Sequence, residues 1–426
     1  MGYLPTFTTI LRVFSGVVLV GLVSTAGLLY RYQTSLIYPA SFPPGSRTQV
    51  TTPDEFDLPY EELDLVTPDG EVVKAFVMLQ GTKLPQRQSI SSMIASHLDS
   101  DQRQPPPTRK TSETVDPSTA RSRPTILFLH ANAGNLGHRL PLASVFFKRF
   151  GCNVFMLSYR GYGLSTGSPS EKGIRIDAQT ALEWIKNHES LKRTQVVAYG
   201  QSIGGAVAVD LASRNPKGVH ALILENTFLS IPELIPHVLP PVRPFAFLCR
   251  EYWPTGKSIA KISATTPVLF MSGRKDELVP PSHMDALYER CSSQIKVWKG
   301  FEDGTHNDTC VKPNYFETIS NFLMNHVVPR VQASNSALLS SSTAETRAAL
   351  SPGPSPLGLS QDTDGQEEKR AGHSEAEAGQ KSEPSASQVP VQDVKGGPSE
   401  VGEEEKELGS SREEEEGWVK MSKNEL

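Results

Sequence analysis

Three side chains that divide the labour of nucleophilic catalysis occur along the chain: Ser202 in Gly200-Gln201-Ser202-Ile203-Gly204, Asp276 in Arg274-Lys275-Asp276-Glu277, and His306 in Gly304-Thr305-His306-Asn307-Asp308-Thr309. A serine hydroxyl is a weak nucleophile until a base removes its proton. The base in turn needs a carboxylate to hold its tautomer and stabilise the imidazolium. Together the three could transfer an acyl group to water. The G-x-S-x-G pattern is weak by itself and occurs a second time, around Ser165. Context separates the two copies, because an exposed nucleophile needs a strand ending just before the motif and a helix starting just after it. QVVAYG leads into Ser202 and IGGAVAVDLAS follows it. Ser165 lies in a glycine-containing loop, where the glycines suit turn geometry.

The acid should follow a late strand. PVLFMSG runs directly into the loop of Asp276, with Glu277, Asp303 and Asp308 as alternatives. His306 follows IKVWKG, while His130, His138, His283 and His326 lack that placement. The oxyanion of a tetrahedral intermediate needs two N–H donors. Ile203 N–H, next after the nucleophile, supplies one, and Asn132 in the loop His130-Ala131-Asn132-Ala133-Gly134-Asn135 is the candidate for the other.

These residues need a scaffold. Short β-rich runs at 62–66, 72–78, 125–129, 153–157, 195–199, 221–224, 267–271 and 295–298 alternate with longer helical stretches. The alternation predicts an eight-stranded, mostly parallel sheet with helices on both faces. Ser168-Pro169-Ser170-Glu171 predicts a helix start, with Ser168 as cap and Pro169 in the first position, running toward His188. Residues 229–262, rich in proline and apolar side chains, break the alternation between the sixth and seventh strands and read as a small lid.

The flanks differ from this body. Residues 13–30 form an 18-residue run without a charge between Arg12 and Arg31, about 27 Å as a helix, enough for a single membrane-spanning anchor over residues 1–31. A cleaved signal is the rival, with Ser24-Thr25-Ala26 as a poor cleavage site. Residues 331–426 hold 19 Asp/Glu and 9 Lys/Arg, net −10 out of −5 for the whole chain, so residues 1–330 carry +5. That acidic tail, with Trp418 as its one aromatic, cannot bury enough apolar surface to order itself and is predicted disordered. Residues 86–124 are predicted to be a low-complexity surface insertion in a domain spanning 32–330.

The chain closes on Lys423-Asn424-Glu425-Leu426, one residue from the K-D-E-L address read in the endoplasmic reticulum lumen. Met1-Gly2 also opens a myristoylation pattern, with bulky Tyr3 and Pro5 against it. The expectation is a single-pass protein of the endoplasmic reticulum membrane with a lumenal body. In that compartment Asn307-Asp308-Thr309 is a glycan acceptor pattern beside the candidate base. The expectation is an unmodified Asn307. Four cysteines are too few for a disulfide scaffold, and no metal-binding spacing or nucleic-acid signature occurs.

Taken as a set, LHANAGNLGHR, SYRGYGLSTGSPSE, YGQSIGGAVAVDLA, ENTFLSIP, SGRKDELVPP and DGTHNDT, with YQTSLIYP after the anchor, resemble the Bem-type branch of serine α/β-hydrolases over residues 32–324. The chain order serine, acid, histidine is that of the α/β-hydrolases. The resemblance implies the α/β-hydrolase fold, an endomembrane-associated serine hydrolase with the triad Ser202, Asp276 and His306, and a structural role for Ser165. Ala131 departs from the glycine of many relatives in the wider superfamily, and the insertion and tail look like additions to the core. The expected substrate is a carboxylic ester or thioester, with an acyl lipid or acyl-protein as its carrier and no cofactor. An amidase or peptidase with the same triad, and a catalytically idle scaffold recruiting partners through its tail, are the rival readings.

Overall fold

A computed structural model describes residues 6–82 and 117–332. The acidic tail, the KNEL ending, residues 86–116 of the insertion and the start of the myristoylation pattern lie outside the described residues. Eight strands form one sheet: β1 (Glu61–Val66), β2 (Val72–Met78), β3 (Thr125–Leu129), β4 (Asn153–Leu157), β5 (Val196–Gln201), β6 (Ala221–Glu225), β7 (Val268–Gly273) and β8 (Lys296–Phe301). Their spatial order is β1-β2-β4-β3-β5-β6-β7-β8. The β1–β2 and β2–β4 pairs are antiparallel and the rest of the sheet is parallel. This is the α/β-hydrolase arrangement. The predicted strands all form, and β5, β7 and β8 each run two or three residues further, toward the loops that carry the candidate site.

Period-two alternation explains how one strand serves two cores. In β3, Leu127 and Leu129 face one helical layer, while Ile126 and Phe128 face the other. Phe128 lies 4.7 Å from the Tyr199 ring and 6.4 Å from the Phe146 ring. Burying a ring of this size is worth about 2–3 kcal/mol. Helices α1 (Phe7–Ile37), α2 (Glu171–Asn187), α3 (Ile203–Arg214), α4 (Ile231–Val238), α5 (Pro281–Arg290) and α6 (Tyr315–His326) complete the set used below. α2, α3 and α5 contribute Ile174, Val207 and Leu287 to the first core, and α6 contributes Ile319 and Phe322 to the second.

One expectation needs correction. The cap of α2 is Ser170, whose side chain accepts the Gly173 N–H, so Ser168 and Pro169 precede the helix. The side-chain oxygen of Ser170 reaches an amide three residues on, where a first-turn donor has no intrahelical acceptor. Helix α1 extends past residue 31 to Ile37, and it is long and apolar enough to cross a membrane. At the end of the insertion Pro117–Arg121 is helical, the Ala120 carbonyl accepts from Asn153 Nδ2 at 2.9 Å, and Arg121 pairs with Glu189 at 3.0 Å.

Residues 229–262 stand between β6 and β7, as expected for a lid. They fold into α4, a 3-10 helix over Pro240–Leu248, and two short turns at Thr255–Ser258 and Ile259–Lys261.

Candidate active site

Ser202 sits where β5 turns into α3, with φ 55° and ψ −120°. A non-glycine residue in such a region costs about 1–3 kcal/mol and persists only where its surroundings hold it there. Here the Ser202 N–H donates to the Glu225 carbonyl at 2.9 Å, and its own carbonyl accepts from Thr227 Oγ1 at 2.7 Å. The two glycines of the motif have steric reasons. A Cβ on Gly204 would lie 2.1 Å from the Leu129 carbonyl oxygen, and one on Gly200 would lie 2.2 Å from the Gly204 oxygen. Only glycine lets the turn pass this close to β3. Ser202 is half-buried and its hydroxyl does not cap its own helix, which leaves the oxygen free to face a substrate.

His306 and Asp276 are brought together by the loops after β8 and β7. His306 Nδ1 lies 2.8 Å from Asp276 Oδ2, with their side chains 7% and 1% exposed. Asp276 Oδ1 is committed elsewhere, accepting the N–H groups of Leu278 at 2.9 Å and Val279 at 2.7 Å. These amides fix the carboxylate, and the carboxylate fixes the imidazole. The alternative acids point away from the ring. Glu277 Oε2 accepts the backbone N–H of His306 at 3.3 Å, Asp303 pairs with Lys275, and Asp308 takes the Thr305 N–H and the Lys312 ammonium.

Two residues that sequence reasoning left without a role hold the His306 loop against the Ser202 turn. Gln201 Nε2 donates to the His306 carbonyl at 2.9 Å. Asn226, itself at φ 46°, donates through Nδ2 to the carbonyls of Thr305 and His306, both at 3.2 Å, and to Thr309 Oγ1 at 3.0 Å. Its Oδ1 accepts the Gly273 N–H at 2.7 Å. Asn226 therefore joins the ends of β6 and β7 to the loop after β8. Behind this loop Glu225 is fully buried and accepts from the hydroxyls of Tyr199 and Tyr315. Burial pushes its carboxyl above the ordinary range, outweighing the two hydrogen bonds that favour the carboxylate.

The candidate oxyanion donors follow two adjacent strands, β5 and β3. Ile203 N–H belongs to the first turn of α3, where amides have no intrahelical acceptor. The Asn132 side chain is held in place, donating one N–H to the Ile37 carbonyl and accepting from the Tyr162 hydroxyl at 2.8 Å, and its backbone N–H is the candidate donor.

The remaining candidates are structural. Ser165 is buried, donates to the Ser158 carbonyl and accepts the Lys74 N–H, both at 2.9 Å. His130 is buried against Tyr159 and Tyr162, and burial lowers its pKa to about 3, which keeps the ring neutral. His138 caps Asn135, and His283 Nδ1 accepts the Leu229 N–H at 3.1 Å. His326 lies tilted against Phe322, with ring centroids 5.5 Å apart. No cluster of three or more metal-binding side chains occurs among the described residues.

A parallel sheet with this strand order, a serine on a strained strand-to-helix turn, and a histidine bonded to a carboxylate after the last two strands define an α/β-hydrolase. The family described as alpha/beta hydrolase fold matches residues 124–246. The chain is 45% identical to protein bem46 of Schizosaccharomyces pombe over 298 residues, 70% of this chain and 87% of that protein. An uncharacterized membrane protein of Saccharomyces cerevisiae matches at 38% over 70% of this chain and 90% of its own length. The alpha/beta hydrolase domain-containing protein WAV2 of Arabidopsis thaliana matches at 34%, over 73% and 92% respectively. The chain belongs to the Bem46-type family of α/β-hydrolases and is a hydrolase.

Proposed function

We propose that this hydrolase is anchored in a membrane by α1 and cleaves a carboxylic ester or thioester through Ser202, His306 and Asp276. One observation carries the reading: the strained Ser202 turn is tied through Gln201 and Asn226 to the loop that presents the His306–Asp276 pair. His306 takes the Ser202 proton as Oγ attacks the acyl carbon, and the negative oxygen is held by the N–H groups of Ile203 and Asn132. Each such donor is worth on the order of 3 kcal/mol. Collapse expels the alcohol or thiol, which leaves with the proton from His306. Water activated by the same ring then releases the acid and restores Ser202.

An acyl lipid or acyl-protein suits the anchor and the apolar lid. The lid begins a few residues beyond Thr227, the residue whose hydroxyl holds the Ser202 carbonyl. The reading needs no cofactor. A relative called a membrane protein supports the anchor. A fluorophosphonate probe tests the chemistry. The folded wild type should label and Ser202→Ala should not; equal labelling of the two would rule the reading out.

The glycan acceptor pattern is expected to stay unused in the folded protein. Asn307 is exposed, yet its partner Thr309 is fully buried, donating from Oγ1 to the Thr305 carbonyl at 2.6 Å and accepting from Asn226. Peptide mass analysis of active protein should return an unmodified Asn307, and a glycan there would contradict the arrangement.

A further inference from the structure

Helix α1 is exposed along its apolar length, and the one residue it buries is polar, Gln33. The partners of Gln33 explain this. Its Nε2 donates to the Leu248 carbonyl at 3.3 Å, and its Oε1 accepts the Arg250 N–H at 2.6 Å. The Arg250 guanidinium lies 4.4 Å from the centre of the Tyr30 ring and donates to the Tyr30 carbonyl at 3.1 Å. Beyond them, the Trp253 indole N–H donates to the Tyr38 hydroxyl, which donates to Glu251. These bonds pin the end of the 3-10 segment level with Tyr30, where the charge-free run of α1 stops.

From that position the lid presents Val238, Leu239 and Phe247, which are 42%, 43% and 76% exposed. Residues 234–250 contain no Asp or Glu, and Arg243 and Arg250 are both exposed. Pro236, Pro240, Pro241 and Pro244 remove backbone donors that would otherwise need partners away from water. Apolar side chains beside arginines, without acids, at the level of an aromatic residue ending an apolar helix, match the polarity of a bilayer interface.

We propose that residues 234–250 are a membrane-docking face, seated in the headgroup region of the bilayer that α1 crosses, with lipid as its occupant. The inference rests on the anchor reading of α1. The site is thereby held at the membrane surface by two contacts, and the segment leading out of the Ser202 region faces lipid. A substrate carried in the bilayer reaches the enzyme without first dissolving in water.

The full chain in phosphatidylcholine vesicles tests this with a small fluorescent amino acid at position 247, 324 or 18, and phospholipids spin-labelled near the headgroup or deep in the acyl chain. Met324 is a suitable control because it is 58% exposed on α6, which packs on the opposite face of the sheet. The expected result is deep quenching at position 18, and headgroup-level quenching at position 247 at least threefold stronger than at 324. Quenching at 18 with equal signals at 247 and 324 overturns the docking face while leaving the anchor intact. No quenching at 18 overturns the anchor and the docking face with it.

Discussion

Replacing Asp276 by Asn is expected to lower kcat on an activated ester by about 10⁴-fold while the protein stays folded. The size of the effect follows from which atoms the carboxylate uses. Oδ1 is occupied by the amides of Leu278 and Val279, so an asparagine at this position would keep its oxygen there and turn its NH₂ toward His306 Nδ1. That inverts the hydrogen bond. Nδ1 must then accept, the ring proton moves to Nε2, and the nitrogen meant to receive the Ser202 proton already carries one. Both backbone amides remain satisfied, which is why folding should survive. Glu277→Gln is the matched control and should cost less than tenfold, since Glu277 contacts the His306 backbone and not the ring. Steady-state kinetics of the two variants, with circular dichroism to confirm the fold, decide the assignment. A loss below tenfold in Asp276→Asn would remove Asp276 from the catalytic machinery.

The strands and the candidate nucleophile were legible in the sequence for local reasons. The buried strands carry continuous apolar runs of four or five residues, and Ser202 is marked by its own immediate neighbours. The lid was visible as a proline-rich interruption. What it contacts was not, because Gln33 meets Leu248 and Arg250 across more than 200 residues. YQTSLIYP could be matched as a motif, yet the contacts by which Gln33 and Tyr38 tie the end of α1 to residues 248–253 need their partners in view. The cap of α2 was misplaced by two residues for a different reason. Ser168-Pro169 and Ser170-Glu171 both satisfy the local cap rules, and the choice between them is tertiary: Glu171 N–H is held by Glu251, and Glu171 Oε2 accepts the Trp253 N–H at 3.0 Å. ENTF in turn gave no hint that its asparagine organises the base. The three oxygens that Asn226 donates to lie 79, 80 and 83 residues further along the chain.

Asn226→Gly should therefore reduce kcat by about 10²-fold with a smaller change in KM, and lower stability by about 2–4 kcal/mol. Glycine is the informative replacement because it accepts φ 46° without strain, so the loss measures the side chain alone. Removing the amide strips one hydrogen bond from the Gly273 N–H, one from the Thr309 hydroxyl, and one each from the carbonyls of Thr305 and His306. Buried groups deprived of partners cost about 1–3 kcal/mol each, but here part is recovered: Gln201 still binds the His306 carbonyl, and Thr309 Oγ1 still donates to Thr305. The catalytic effect has a separate origin. His306 keeps Asp276, but its backbone loses one of two ties to the Ser202 turn, and misplacing a base by about 1 Å costs about 10² in rate. A purely structural role would lower the melting temperature and leave kcat per folded molecule unchanged. A positioning role slows the fluorophosphonate reaction of the folded fraction, because the imidazole no longer sits where it can take the Ser202 proton. Normal labelling kinetics in a destabilised Asn226→Gly protein would confine this residue to the fold.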